Sequence, residues 1–229
     1  MRNSFLCTLI LCVFFCGGCS LFSPPEDPAM VQEEIVQYLE NKYGQEFVVI
    51  RETKYNFELG EYSLSAHPKG NRDVTFAAFK SNSGNFDDTY PVALWSKQST
   101  DEIKPLIDRL YSPQELWLFK SDVGTDESLY AEVDHKNLPD YREIRKQHPD
   151  KMRSIVTIAL FKDLNESNKG EELEKVFQIL EFFREKEIQD FVIDMGYYEE
   201  RLLKEQGRNI KPGFENVDYL RHRLVLTAK

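Results

Sequence analysis

Apolar residues along this chain recur first at helical and then at alternating spacing, and each switch of period marks a new element. From Ala29 to Tyr43, the residues Val31, Ile35, Leu39 and the pair Lys42-Tyr43 fall at helical spacing, which predicts a helix that stops at Gly44. The period then drops to two. Phe47–Arg51, Tyr62–Ala66 and Val74–Phe79 read as three strands, separated by turns at Leu59-Gly60-Glu61 and Pro68-Lys69-Gly70-Asn71. The second turn has the composition of a hairpin. Tyr90 to Tyr111 returns to helical spacing through Leu94, Ile103, Leu106, Ile107 and Leu110. Ser99 and Glu102 stand at capping-box spacing within it, and Pro105 is expected to kink or split the helix.

The later half repeats the scheme loosely. An irregular stretch holding Trp117 precedes a predicted strand over Leu129–Val133 and a short helix after Pro139. Ile155–Phe161 is apolar on both faces and belongs at the centre of a sheet. Glu171–Glu187 carries a helical stripe of Leu173, Val176, Phe177, Leu180 and Phe183, widened by Ile179 and Phe182. It leads into a strand at Phe191–Met195, a polar excursion to Pro212-Gly213 and a last strand over Tyr219–Leu226. The fold class is α+β, a mixed or antiparallel sheet packed by helices. Gln45–Ile50 is echoed by Gln189–Asp194, each just after a predicted helix. Two similar α/β halves, 30–120 and 121–229, would explain the echo, as would shared helix-to-strand grammar or chance.

The N-terminal segment changes the picture. Met1-Arg2-Asn3, an apolar run from Phe5 to Phe15 and Cys16-Gly17-Gly18-Cys19 have the layout of a cleaved export signal. The glycines before Cys19 resemble the lipobox of bacterial lipoproteins, although Cys16 stands where an aliphatic residue is usual. That resemblance implies a signal peptide over residues 1–18 and an acylated Cys19 as the mature N-terminus. An ordinary secretory signal is one alternative and an uncleaved anchor another, but the apolar run is about half the roughly 20 residues of a membrane span. Two acyl chains give stable attachment where one is marginal. The membrane is then a partner through the lipid, and the chain is expected on the extracytoplasmic face of a Gram-positive cell membrane. Residues 19–29, with three prolines in Ser23-Pro24-Pro25-Glu26-Asp27-Pro28, read as a stiff tether of roughly 30 Å, leaving residues 30–229 as the extracytoplasmic domain.

Cysteine use and charge exclude several classes. All four cysteines, Cys7, Cys12, Cys16 and Cys19, lie in or at the end of the signal, so the domain has no thiol for a disulfide, a zinc cluster or a nucleophile. A chain of this length buries roughly 70% of its unfolded surface, enough for a self-sufficient core. The net charge of −10 repels phosphate polymers and anionic lipid headgroups, and nucleic acid is not an expected partner. With 30% charged residues of both signs interspersed, the acidity also serves plain solubility.

Tyr38–Phe47, the Tyr62 strand, His67-Pro68-Lys69-Gly70-Asn71 and Leu94-Trp95-Ser96-Lys97-Gln98 together are similar to a group of uncharacterised Gram-positive lipoproteins. The likeness covers about the first half after the signal. It implies an envelope location and brings no activity with it.

Catalytic and cofactor signatures are missing from the sequence. His67, His135, His148 and His222 show none of the spacings of a helical zinc site. No nucleophile elbow, Ser-x-x-Lys pair, P-loop or dinucleotide fingerprint occurs, and no cofactor is expected. Two sets of residues are candidates for ligand contact. Arg221 and Arg223 share one face of the last strand with Tyr219 and could clasp an anion, or pair with neighbouring acids. Tyr197 and Tyr198, with Trp95 and Trp117, could line a groove for sugar or peptide, or simply pack the core. The expected function is a membrane-anchored binding module for an envelope protein or small ligand. The rivals are an envelope hydrolase whose site assembles only in three dimensions, and a solute receptor.

Overall fold

The computed structural model describes residues 24–207 and 218–228. The signal segment 1–18, Cys19, the start of the tether and the Pro212-Gly213 excursion lie outside the described residues. The chain divides into two compact units: the described residues up to Gly70 with Phe76–Asp88, and Asn71–Thr75 with the rest from Thr89 onward. The division thus falls at Asp88–Thr89, well before residue 120. The reason is local: the helix that starts at Tyr90 packs on the strand at Leu116–Thr125, so both belong to one core. Each unit is α+β with one four-stranded sheet, packed in the first by a single described helix and in the second by several.

In the first unit, helix α1 (Pro28–Tyr43) begins where Asp27 accepts a bond from the Ala29 amide and Pro28 supplies a preset φ. It ends at Gly44, whose left-handed φ of 67° suits a residue without Cβ. Its buried side chains are Val31, Ile35, Leu39 and Tyr43, the stripe read from the sequence. Strands β1 (Phe47–Asn56), β2 (Glu61–Pro68), β3 (Phe76–Ser81) and β4 (Phe86–Asp88) form an antiparallel sheet in sequence order. Strand β4 escaped the periodic reading because three residues are too few to display a period. Glu26 is already part of this unit: Tyr62 Oη accepts from its amide and donates to its carbonyl, and Lys80 meets its carboxylate at 2.7 Å. Residues 26–29, within the stretch read as a tether, thus belong to the packed first unit.

The second unit opens with α2 (Tyr90–Leu110), which runs through Pro105 without being split. Ser99 is mid-helix and buried, sharing a 2.8 Å hydrogen bond with Ser121, so the capping-box spacing there marks no helix start. Strand β5 (Leu116–Thr125) occupies the stretch read as irregular. The strand expected over Leu129–Val133 is instead a 3-10 turn, Glu127–Ala131, started by the Asp126 carboxylate accepting from Ser128 N. Side-chain-to-backbone bonds of this kind outcompete a strand in which Leu129 is the one deeply buried residue.

After the short helix α3 (Tyr141–Gln147), β6 (Met152–Phe161) takes the centre of a sheet ordered β5, β6, β7 (Phe191–Tyr198), β8 (Leu220–Ala228). Only β6 and β7 are parallel, joined by crossover helix α4 (Lys169–Glu185). Helix α5 (Glu200–Gln206), not foreseen in the polar excursion, follows β7. Ile103, Ile107, Val156, Ile158, Ile179, Phe183, Ile193 and Met195 build the main core between α2, α4 and the sheet.

Candidate functional site

Of the residues singled out from the sequence, Tyr198 and Arg223 lie close enough for their charges to interact, whereas Tyr197 and Trp95 are buried apart from them. Arg223 makes a two-pronged ion pair with Asp194 on β7, through Nε at 2.9 Å and Nη2 at 2.7 Å, and Arg221 pairs with Glu199. Both guanidinium groups are thus occupied by neighbouring acids. Tyr198 stands edge-on to Trp117, which itself stacks on Phe161. Gly196 is bare beneath that tyrosine, since a Cβ there would lie 2.7 Å from its ring. Tyr197 points elsewhere: it is buried and donates to Glu172 on α4 at 3.3 Å. Trp95 is enclosed and donates its indole N–H to the Pro139 carbonyl at 2.9 Å, a core role.

Glu172 is the hub of a buried network that pairwise sequence reading missed. Its side chain is 2% exposed, and Oε1 accepts from Lys162 at 2.8 Å and Lys175 at 3.0 Å. Lys162 also reaches Glu115 at 3.0 Å. Burial works against the Lys162 ammonium, but bonds to Glu172 and Glu115 outweigh it and raise its pKa. Partial burial likewise pushes Glu115 up, yet Lys162 and Ser112 hold its carboxyl down to about 2. Burial, and then the charge of Glu172, push the Tyr111 and Tyr197 hydroxyls well above their usual range. The Tyr111 hydroxyl is enclosed without a hydrogen-bond partner, while Lys175 sits 5.0 Å over its ring. Lys175 also pairs with the exposed Glu171 at 2.8 Å, so two lysines tie three carboxylates together where the crossover helix α4 meets β6 and β7.

The open concave surface lies at the other end of α4, in a cleft of about 900 Å³ lined from α2, α3, the end of α4 and the turn into β7. Arg142, Arg145, Lys146, Arg184 and Lys186 face it against three carboxylates, Glu102, Glu185 and Glu187. On a chain of net charge −10, that is a local reversal of sign. Glu102 is the organiser. Its side chain is 6% exposed, with Oε1 2.8 Å from Arg142 Nε and Oε2 3.6 Å from Arg145 Nη1.

Neither contact has good hydrogen-bond alignment, since Glu102 Oε1 and Arg145 Nη1 are both left without such a bond. The pairing is ionic rather than directional. Arg145 is also held by the Tyr141 ring, 4.7 Å from its guanidinium, and donates through Nη2 to the Lys186 carbonyl at 3.0 Å. It is a fixed wall of the cleft. Arg142 keeps its outer edge in water with a side chain 67% exposed, and among the described residues Lys146 and Lys186 make no ion pair. Three cationic groups are thereby available to an incoming anion, in a concave site where field lines concentrate.

The floor turn carries strain. Glu187 adopts φ 56°, the one positive value outside glycine among the described residues. Its amide bonds to Arg184 O and the Ile188 amide to Phe183 O, closing α4 in the way a glycine normally does. His148 and Glu132, 3.3 Å apart, form a carboxylate-histidine pair, but Glu132 is shared with Lys151 and neither residue lines the cleft. Among the described residues no three His, Cys, Asp or Glu side chains converge as ligands for a metal. None of the cleft residues carries a motif, so sequence alone offered only the basic cluster Arg142, Arg145, Lys146 at helical spacing as a signal.

No family model and no curated protein matches the chain. Among solved structures it is similar to a DUF5037 family protein from Ruminococcus gnavus ATCC 29149, at 14% identity and a TM-score of 0.47, covering 86% of this chain and 90% of that one. It is also similar to a DUF1672 family protein from Staphylococcus aureus subsp. aureus Mu50, at 12% identity and a TM-score of 0.32, covering 90% of this chain and 93% of that one. Likenesses this distant carry no functional argument.

Proposed function

We propose that the protein is an extracytoplasmic lipoprotein, tethered through an acylated Cys19, that works by binding a small anionic ligand in the basic cleft of its second unit. The observation that carries the reading is the cluster of Arg142, Lys146 and Lys186 at a concave surface of an otherwise acidic molecule. Glu102 and Tyr141 fix Arg145 behind them, so the cleft holds its shape before a ligand arrives and loses less entropy on binding. Carboxylate and phosphate groups are the chemistry that guanidinium and ammonium groups recognise. No helix among the described residues is long and apolar enough to cross a membrane.

Isothermal titration of the protein with inorganic phosphate and with a tricarboxylate tests the cleft. Saturable binding that weakens with salt, and that Arg142→Ala with Lys146→Ala abolishes, is the expected result. Heat that neither saturates nor responds to those substitutions would sink it. Mass spectrometry of the native N-terminus tests the tether, with a diacylglyceryl-modified Cys19 expected.

A further inference from the structure

The first unit presents two large apolar side chains at the same end at which the chain arrives from Cys19. In the turn between β1 and β2, Phe57 is 53% and Leu59 68% exposed. Asn56 holds that turn rigid: its side-chain oxygen accepts from Glu58 N and Leu59 N, its carbonyl accepts from Gly60 N, and Gly60 takes φ 65°. The apolar tips are therefore presented outward by a built turn. A contiguous set of contacts links this turn to the arriving chain. Phe57 packs edge-on to Tyr55 at 4.8 Å, Tyr55 packs on Tyr62 at 4.7 Å, and the Tyr62 hydroxyl grips both the amide and the carbonyl of Glu26. Met30, in the first turn of α1 and four residues after Glu26, is 62% exposed.

Cys19 and Glu26 are seven residues apart, a span of roughly 25 Å at full extension and less in any other conformation. An acyl chain on Cys19 would hold Glu26 within that distance of the bilayer, and the Phe57–Leu59 turn with it. We infer that this turn is a second membrane contact, with Phe57 and Leu59 seated in the interfacial layer of the outer leaflet, fixing which end of the first unit faces the lipid. Glu58, between them, stays at headgroup level, as polar side chains beside an interfacial aromatic do. The inference rests on the acylated Cys19 proposed above, and the occupant is lipid because the short chain from Cys19 starts in the membrane and keeps the turn within reach of it.

Site-directed nitroxide labelling tests it, since the described residues contain no cysteine. The full acylated protein on phosphatidylcholine vesicles would carry the label at Leu59→Cys or, as an exposed apolar control at the opposite end of β1 in the same unit, at Val48→Cys. The label at 59 should gain collision with dissolved oxygen and lose collision with a water-soluble nickel chelate several-fold relative to the same label on unacylated protein of residues 20–229, while the label at 48 stays unchanged. Vesicle-bound protein whose label at 59 remains as water-exposed as the control would overturn the seating and leave the anchor standing. Protein with an unmodified Cys19 that does not bind vesicles would overturn the anchor itself. Phe57→Ser with Leu59→Ser, which leaves the acyl chain in place, should hold vesicle association yet restore water access to a label at Glu58→Cys; unchanged access would count against the seating.

Discussion

Lys162 Nζ lies 2.8 Å from Glu172 Oε1, in surroundings that leave the glutamate 2% exposed. A carboxylate so enclosed depends on its cations, and removing one leaves charge that neither water nor a neighbour can fully offset. Lys162→Met is expected to cost about 3 kcal/mol, the range for breaking one side of a buried pair. Urea unfolding followed by circular dichroism measures it. An unchanged midpoint would mean that Lys175 alone suffices.

Acid should act through Glu115. Its carboxyl is held down to about 2 in the folded chain despite partial burial, against an ordinary value of 4.5, so the unfolded chain binds the proton more readily. The contribution of Glu115 to stability is then complete above about pH 4.5 and fades as the pH falls towards 2. Glu115→Gln should flatten that acid limb in a comparison of urea midpoints at about pH 6 and about pH 3. Equal acid sensitivity in both proteins would assign the loss to other groups.

The first unit has its own buried carboxylate. Asp88 accepts from Tyr43 at 2.7 Å, from Tyr38 at 3.0 Å and from Lys42 at 2.8 Å, joining the end of β4 to one face of α1. Tyr43→Phe removes a hydrogen bond to a charged group and should cost about 1.5–3 kcal/mol. Thermal unfolding followed by near-ultraviolet dichroism of the aromatic signals is the measurement. A change within about 0.5 kcal/mol, the range for ordinary surface substitutions, would contradict it.

Glu187 offers a test in the stabilising direction. Its φ of 56° places a Cβ in the left-handed region at a cost of about 1–2 kcal/mol, which glycine relieves at some expense of unfolded-state entropy. Glu187→Gly should raise the melting temperature and Glu187→Ala should leave it nearly unchanged. If anion binding in the cleft needs this turn fixed, the glycine variant gains stability and loses affinity together.

Much of the scaffold was legible because long periodic segments were unambiguous. The stripe Val31, Ile35, Leu39, Tyr43 packs as read, and the doubly apolar Ile155–Phe161 run is part of β6, flanked on both sides in its sheet. What failed was short or governed by side-chain bonds to backbone. Leu129 looked like a strand residue until the Asp126 cap turned the chain, and β4 has only three residues. The cleft was hidden for a different reason. Glu102, Arg142, Arg145 and Lys186 come from the middle of α2, from α3 and from the end of α4, far apart in sequence, and only packing makes them neighbours. Tyr197 and Tyr198, adjacent in the chain, serve a buried ion network and an aromatic stack respectively.

The loop between β2 and β3 has a practical consequence for dissecting the molecule. Asn71–Thr75 belongs to the second unit, where Val74 is 1% exposed and Asp73 stands 4.0 Å from Lys97, although the strands on either side belong to the first. A fragment beginning at Thr89 would lack that five-residue segment and the partner it gives Lys97, and a fragment ending at Asp88 would carry it without the rest of its unit. Neither piece expressed alone inherits a finished surface, so the two must be made as one polypeptide to be made soundly.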